Sequence, residues 1–169
     1  MKENKVLFRM AILLLLVVLV ATSCIFQFIK PPPPIEVAFK SFHGQYVIAM
    51  GEDDNWALRQ ESELSDCGWF TQQHLANGKI ALKTCYGRYI TAPKSGAERL
   101  DWMLRQESKL GPCGQFDLYD LGSNRVAIKT CVGRFFTAGD ETWGPGLEWS
   151  VVGETYNMDA WEIFTVLQP

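Results

Sequence analysis

Residues 36–169 are predicted to fold as an all-β β-trefoil, because one unit of about 45 residues occurs three times and each copy reads as strands. The first observation is a shared opening segment. It reads VAFKSFHGQYVIA over 37–49, IALKTCYGRYITA over 80–92 and VAIKTCVGRFFTA over 126–138, with Gly44, Gly87 and Gly133 spaced by 43 and 46. The second is a Trp-x-[Leu/Val]-x-x-Glu pattern further along each copy: Trp56, Leu58, Glu61; Trp102, Leu104, Glu107; Trp149, Val151, Glu154. The third is a closing segment centred on Phe, in Cys67-Gly68-Trp69-Phe70, Cys113-Gly114-Gln115-Phe116 and Trp161-Glu162-Ile163-Phe164.

Ahead of the repeats, residues 1–30 read as an export or anchoring device. The run 10–29 carries no charge and is bounded by Arg9 and Lys30. Twenty apolar residues are long enough to cross a bilayer as a helix, and Lys2, Lys5 and Arg9 place the N-terminus on the cytoplasmic side. Three readings stay open: an uncleaved signal-anchor helix, a lipoprotein signal in which Cys24 is lipidated after Ala21-Thr22-Ser23, and simple cleavage and secretion. The first two tether the following domain to the extracytoplasmic face of a membrane. Pro31-Pro32-Pro33-Pro34 then forms a stiff spacer over 31–35.

Within each copy, apolar and polar residues alternate with a period of two. Val37/Phe39, Ile80/Leu82 and Val126/Ile128 form one face. The glycine that follows marks a hairpin turn, and Asn77-Gly78 and Gly122-Ser123-Asn124 supply turns between copies. Twelve strands are expected, six in a barrel and six in capping hairpins. The aligned Phe, Trp and aliphatic residues are expected to fill a core around a pseudo-threefold axis.

Four cysteines fall at matched spacing: Cys67 to Cys85 is 18, and Cys113 to Cys131 is 18. Phe42 and Trp161 occupy the two remaining equivalent positions. Outside the cytoplasm this reads as two disulfides, Cys67–Cys85 and Cys113–Cys131. Free buried thiols and a zinc site are the alternatives, though zinc-type Cys spacing is absent.

The chain carries net −3, but unevenly. Residues 1–34 hold four basic residues against one acidic, leaving 12 basic and 18 acidic in the rest. An acidic domain is a poor partner for nucleic acid or anionic surfaces. No nucleophile elbow, phosphate loop, dinucleotide fingerprint or metal-binding His pair occurs. No cofactor or metal is therefore expected, and the chain reads as non-enzymatic. His43 reads as a turn residue and Glu52-Asp53-Asp54 as a solvated loop, with weak calcium binding as the alternative. Aromatic residues that break the threefold pattern are the candidate ligand-binding residues: Trp143, Trp69, Tyr86, Tyr119 and Tyr156. Trp143 leads, because it stands in a polar Gly-rich loop with no evident core to fill, and it invites either sugar stacking or a fold-back over the barrel end.

The repeated Lys-x-x-x-Gly-[Gln/Arg]-[Tyr/Phe]-[Val/Ile/Phe]-x-Ala, with Trp161-Glu162-x-Phe164 closing the last copy, resembles the fascin-like β-trefoils of the actin-crosslinking superfamily over residues 36–168. That resemblance implies binding to filaments, glycans or protein partners. Export and acidity disfavour filaments, so the expected function is a surface-displayed binding module for a glycan or a protein. A carboxylate-pair glycoside hydrolase is the remaining alternative.

Overall fold

A computed structural model describes residues 31–169 apart from Ala97. The segment 10–29 and Cys24 lie outside the described residues. Among the described residues, no helix is long and apolar enough to cross a membrane.

Residues 32–169 form one compact unit of twelve strands joined by short 3-10 turns. In chain order the strands are β1 (Ile35–Lys40), β2 (Tyr46–Ala49), β3 (Leu58–Glu61), β4 (Phe70–His74), β5 (Ile80–Lys83), β6 (Tyr89–Thr91), β7 (Arg105–Glu107), β8 (Asp117–Asp120), β9 (Arg125–Lys129), β10 (Phe135–Ala138), β11 (Val151–Thr155) and β12 (Phe164–Leu167). Six of them close a barrel. β1 pairs with β12 and β4, β4 with β5, β8 with β9 and β9 with β12, and the paired backbones of Ile80 and Phe116 join β5 to the start of β8. Closure removes the free edges that an open sheet would expose. The other six strands form hairpins β2–β3, β6–β7 and β10–β11. These meet one another through Leu58 N–H to Leu104 O and Leu104 N–H to Val151 O, capping one end of the barrel.

The turns follow the glycines. Gly44, Gly87 and Gly133 adopt φ of +79°, +71° and +84°, a region that costs a residue with a Cβ. In each turn the Gly N–H donates to Ser41 O, Thr84 O or Thr130 O. The core repeats in layers of three: Phe70, Phe116 and Phe164; Leu58, Leu104 and Val151; Val47, Ile90 and Phe136, all buried. They pack closely enough to leave an internal cavity of only about 10 Å³.

One expectation needs correction. Trp56, Trp102 and Trp149 do not fill the core but lie half-buried around its capped end. Trp56 and Trp149 have φ of +57° and +56°, so the chain turns sharply there and carries the indoles outward, leaving Leu58, Leu104 and Val151 to point in.

Candidate functional site

The three repeats meet at three junctions, and two of them share one construction. At each, a disulfide ties the 3-10 turn before the closing strand to the second residue after the next opening strand. Cys67–Cys85 and Cys113–Cys131 have Cα–Cα distances of 5.0 and 4.9 Å. At each, an arginine from the later repeat covers the Trp of the earlier one. The Arg88 guanidinium lies 4.1 Å from the Trp56 ring centroid, and that of Arg134 lies 3.9 Å from Trp102. A guanidinium on an indole face is a favourable contact and also hides that face. The glycine after each cysteine is required by packing. A Cβ on Gly68 would meet Leu64 Cδ1 at 2.5 Å, and one on Gly114 would meet Leu110 Cδ1 at 2.9 Å and Ile90 O at 3.0 Å.

The third junction, between the last repeat and the first, departs from this plan at every step. Trp161 and Phe42 stand where the cystine would be, with His43 between them at 5.1 and 5.6 Å in edge-on contacts. His43 Nε2 also lies 3.1 Å from Ala138 O. Gln45 replaces the arginine, and Trp149 meets the His43 ring at 6.0 Å with the two planes nearly perpendicular. Glu162 occupies the position of Gly68 and Gly114, and Met158, exposed, that of Leu64 and Leu110. The hairpin β10–β11 alone carries a bulge. Phe135 pairs with Thr155 and Phe136 with Gly153, so Glu154 is the extra residue. The Glu61/Glu107/Glu154 alignment is corrected by one residue, because Thr155 takes the pairing that Glu61 and Glu107 make with Tyr46 and Tyr89. Bulges of this kind re-aim side chains and occur often beside functional sites.

These departures open a groove of about 370 Å³ lined by Thr137, Glu154, Thr155, Asn157, Asp159, Ala160, Trp161 and Glu162. In the first two repeats the equivalent space is filled by leucine over glycine. Glu162 forms the floor and is only 3% exposed. Its Oε2 accepts the Asp159 N–H at 2.8 Å, while the Asp159 carboxylate accepts the Ala160 N–H at 2.8 Å. These two bonds explain the local fold, since each acid caps the short turn 160–162. Burial pushes the Glu162 carboxyl above the usual carboxylate range, against the pull of the Thr137 hydroxyl and the Asp159 N–H, with the Asp159 charge adding to the rise. On the rim, Glu154 Oε1 accepts Arg99 Nε at 2.6 Å, and the Arg99 guanidinium lies 4.4 Å from the Trp143 ring.

The raised Glu162 value sets the sign of a pH effect. Between the unfolded-chain carboxylate range and the raised value, the folded protein holds a proton that the unfolded chain has released. The stability this confers is present at lower pH and is lost as pH rises through the folded value. Glu162→Gln, a stand-in for the protonated acid, should therefore match the parent melting temperature in mild acid and exceed it near neutrality. Parallel curves across that range would show that Glu162 ionises as freely in the folded protein as in the unfolded chain.

Of the sequence-selected aromatics, two flank this groove. Tyr156, 63% exposed, packs 4.7 Å from the Arg134 guanidinium, and Arg134 Nη1 donates to Glu154 O. Trp143 is half-buried. It packs against the cluster of Ala57, Met103 and Val152, lies 5.9 Å from Trp161, and sits so close to Gly139 that a Cβ there would come within 2.4 Å of the indole. The expectation that it has no core to fill is corrected: the loop folds back over the barrel end. The Asp140 carboxylate holds that loop by accepting the Thr142 hydroxyl at 2.7 Å and its N–H at 2.9 Å, which keep its pKa below the usual value. Trp143→Ala is expected to cost about 2 kcal/mol of stability, read from denaturant midpoints, because a half-buried indole is lost. An unchanged midpoint would refute the packing role.

The other three lie apart from the groove. Tyr86 is exposed and meets Trp56 edge-on at 5.5 Å; Tyr119 is exposed beside Phe135 at 5.7 Å; Trp69 is half-buried after the Cys67 turn. Glu162, Asp159, Asn157 and Thr155 line the groove as well, and aromatic asymmetry among the repeats does not mark them. A larger groove of about 580 Å³ lies at the opposite end, lined by Ile35, Leu118, Asn124 and Val166 among others, and carries no charged group except Asp120. Among the described residues, no group of three or more His, Cys, Asp or Glu side chains is arranged to hold a metal ion.

No protein-family model matches the chain, and no curated protein matches it either. Solved structures do. A designed threefold-symmetric protein, ThreeFoil, aligns with a TM-score of 0.66 at 13% identity, over 79% of this chain and 99% of that one. Hisactophilin, described as similar to interleukin-1β and fibroblast growth factor, aligns at 0.58 and 21% identity, over 82% and 100%. A GlcNAcα1-4Gal-releasing endo-β-galactosidase from Clostridium perfringens aligns at 0.60 and 9% identity, over 80% of this chain but 32% of that enzyme. At such low identities the likeness is one of architecture alone, and that architecture is the β-trefoil.

Proposed function

We propose that the chain is a non-enzymatic binding module, held at the extracytoplasmic face of a membrane by its N-terminal segment, that takes a glycan in the groove above Glu162. The supporting observation is the groove itself, opened where the third repeat replaces the leucine and glycine that fill the same space in the other two. Its size suits a small ligand. Its lining of acids, an amide, two hydroxyls and one indole offers the acceptors and the apolar wall that a sugar ring uses. A binding role also fits how the acids are engaged, since Glu162 and Asp159 both cap backbone N–H groups. That commitment disfavours the hydrolase reading. The repeat motifs support a fascin-like trefoil, and the acidic domain disfavours filament crosslinking. Two cystines are consistent with an oxidising compartment.

A protein ligand is the second reading, favoured by Phe42 and Tyr156, exposed at 62% and 63% on either side of the same junction. The deciding experiment is a combined glycan and surface-protein array probed with the detergent-purified full chain. Glycan binding that Asn157→Ala weakens roughly tenfold supports the reading. Binding that is confined to proteins, or indifferent to Asn157, overturns it.

The membrane placement is tested separately. A C-terminally tagged chain is expected to fractionate with membranes and to be protease-accessible from outside. Cys24→Ala should leave retention and mass unchanged for a helical anchor and should abolish lipid labelling for a lipoprotein. Recovery as a freely soluble protein would exclude both.

A further inference from the structure

We infer that the third junction seats an arginine side chain supplied by a protein partner, with its guanidinium on the face of Trp149. The inference is independent of the glycan reading, because Trp149, Gln45, Gln60 and Ser41 do not line the groove above Glu162. The first junction shows how the fold itself uses such an arginine. Arg88 lies over Trp56, and its Nε and Nη2 donate to Gln106 O at 3.3 and 3.2 Å. Tyr86 meets the same indole with the two planes nearly perpendicular. Behind that contact the buried Thr84 hydroxyl donates to Gln106 Oε1 at 2.8 Å, and Gln106 Nε2 donates to Met50 O and Trp56 O. The second junction repeats the stack, with Arg134 over Trp102 and donating to Glu154 O.

The third junction has counterparts for these residues but not for their bonds. His43 takes the place of Tyr86 beside Trp149, Ser41 that of Thr84, and Gln60 that of Gln106. Gln60 Nε2 donates to Gly139 O at 2.7 Å and to Ser150 O at 3.3 Å, so its amide is held in the same way. Gln45 stands at the arginine position. Among the described residues its side chain makes no hydrogen bond, no cation lies over Trp149, and Gln60 O accepts no side-chain donor. Ser41 Oγ and Gln60 Oε1 are buried without a partner, in residues only 6% and 3% exposed. Leaving such groups unpaired costs free energy, and the Thr84–Gln106 bond shows that this fold can satisfy them.

A partner's arginine answers each of these points. Its guanidinium would stack on Trp149 as Arg88 does on Trp56, and donate to Gln60 O as Arg88 does to Gln106 O. A guanidinium carries five N–H donors, which leaves others for Gln60 Oε1 and Ser41 Oγ. Lysine fits less well, because an ammonium has no flat face to lay on an indole. The domain's 18 acidic against 12 basic residues favour a basic partner. Phe42, exposed by 62% and 5.6 Å from His43, offers an apolar contact to the residues that flank the arginine.

The test probes the full chain in detergent with an array of short peptides, each carrying one central arginine in varied surroundings. Peptides that bind should lose at least roughly tenfold in affinity when the arginine becomes citrulline, which keeps the shape and removes the charge. Gln45→Arg supplies the same side chain from within. It should raise the melting temperature by roughly 3 °C and weaken peptide binding at least roughly tenfold. Arg88→Gln, the reverse exchange at the first junction, should lower the melting temperature by a similar amount. Peptide binding that survives Gln45→Arg, or that citrulline leaves unchanged, would overturn the inference. Absence of any bound peptide would overturn it as well. A Gln45→Arg melting temperature at or below that of the parent would show that the junction does not accept an arginine. Self-association of the parent chain that Gln45→Arg abolishes would overturn the assignment to a different protein and name a second copy of this chain instead. None of these outcomes bears on the glycan array, which stands or falls by itself.

Discussion

Reduction of both cystines should lower the unfolding free energy by roughly 6 kcal/mol. Each closes a loop of 18 residues, and loop-closure entropy of that size contributes about 3 kcal/mol per bond before any enthalpic correction. Total stabilities of single domains run about 5–15 kcal/mol, so the reduced protein should be marginal or unfolded at 37 °C. The bonds sit where their loss is felt, each joining the end of one repeat to the start of the next. Denaturant unfolding with and without reductant provides the measurement, and Cys67→Ser with Cys113→Ser removes the reagent as a variable. The single variants should each give about half the effect, since the two bonds are at different junctions and share no partner. Peptide mapping without reductant should recover Cys67–Cys85 and Cys113–Cys131. A midpoint insensitive to reductant would mean that the packed core suffices.

Phe116→Ala should cost about 4 kcal/mol. Its ring is fully buried, meets Phe136 edge-on at 4.9 Å, and forms a threefold layer with Phe70 and Phe164. Removal leaves a void inside a closed barrel whose six strands cannot collapse around it independently. The same substitution at Phe42, exposed by 62%, should change stability by no more than about 0.5 kcal/mol. The pair separates burial from aromatic character, because residue type and mutation are identical. Similar losses at both sites would show that Phe42 packs more closely in solution than its exposure implies.

The repeat spacing was enough to read the barrel, the hairpins and both cystines, because each rests on contacts made between equivalent positions. Whatever satisfies the pattern three times is dictated by the axis. The groove was legible only in part. Glu162 against Gly68 and Gly114, and Met158 against Leu64 and Leu110, are visible in the aligned repeats as polar or displaced residues at packed positions. These differences are not aromatic, so aromatic asymmetry does not mark them. Two other features needed coordinates. The bulge at Glu154 inserts one residue into a pattern that reads as unbroken, so the sequence alignment pairs the wrong residue. The fold-back of Trp143 depends on Gly139 leaving room for an indole and on Arg99 covering it, contacts that no local pattern encodes.

The open third junction has a mechanical side. The chain enters the barrel through β1 and leaves through β12, and these two strands are paired with each other by Ala38↔Leu167, Phe39↔Val166 and Lys40↔Thr165. Neither cystine crosses that seam. Tension between the two ends of the chain therefore meets only hydrogen bonds and side-chain packing there, and β1 can be peeled away first. Further extension is then limited. The two cystine loops cannot unravel, and together they withhold roughly 110 Å of contour at about 3.4 Å per residue. A domain hung from its N-terminal end would thus yield at one seam and stop at a fixed length. Single-molecule pulling should show a reach that grows by that amount when reductant is added.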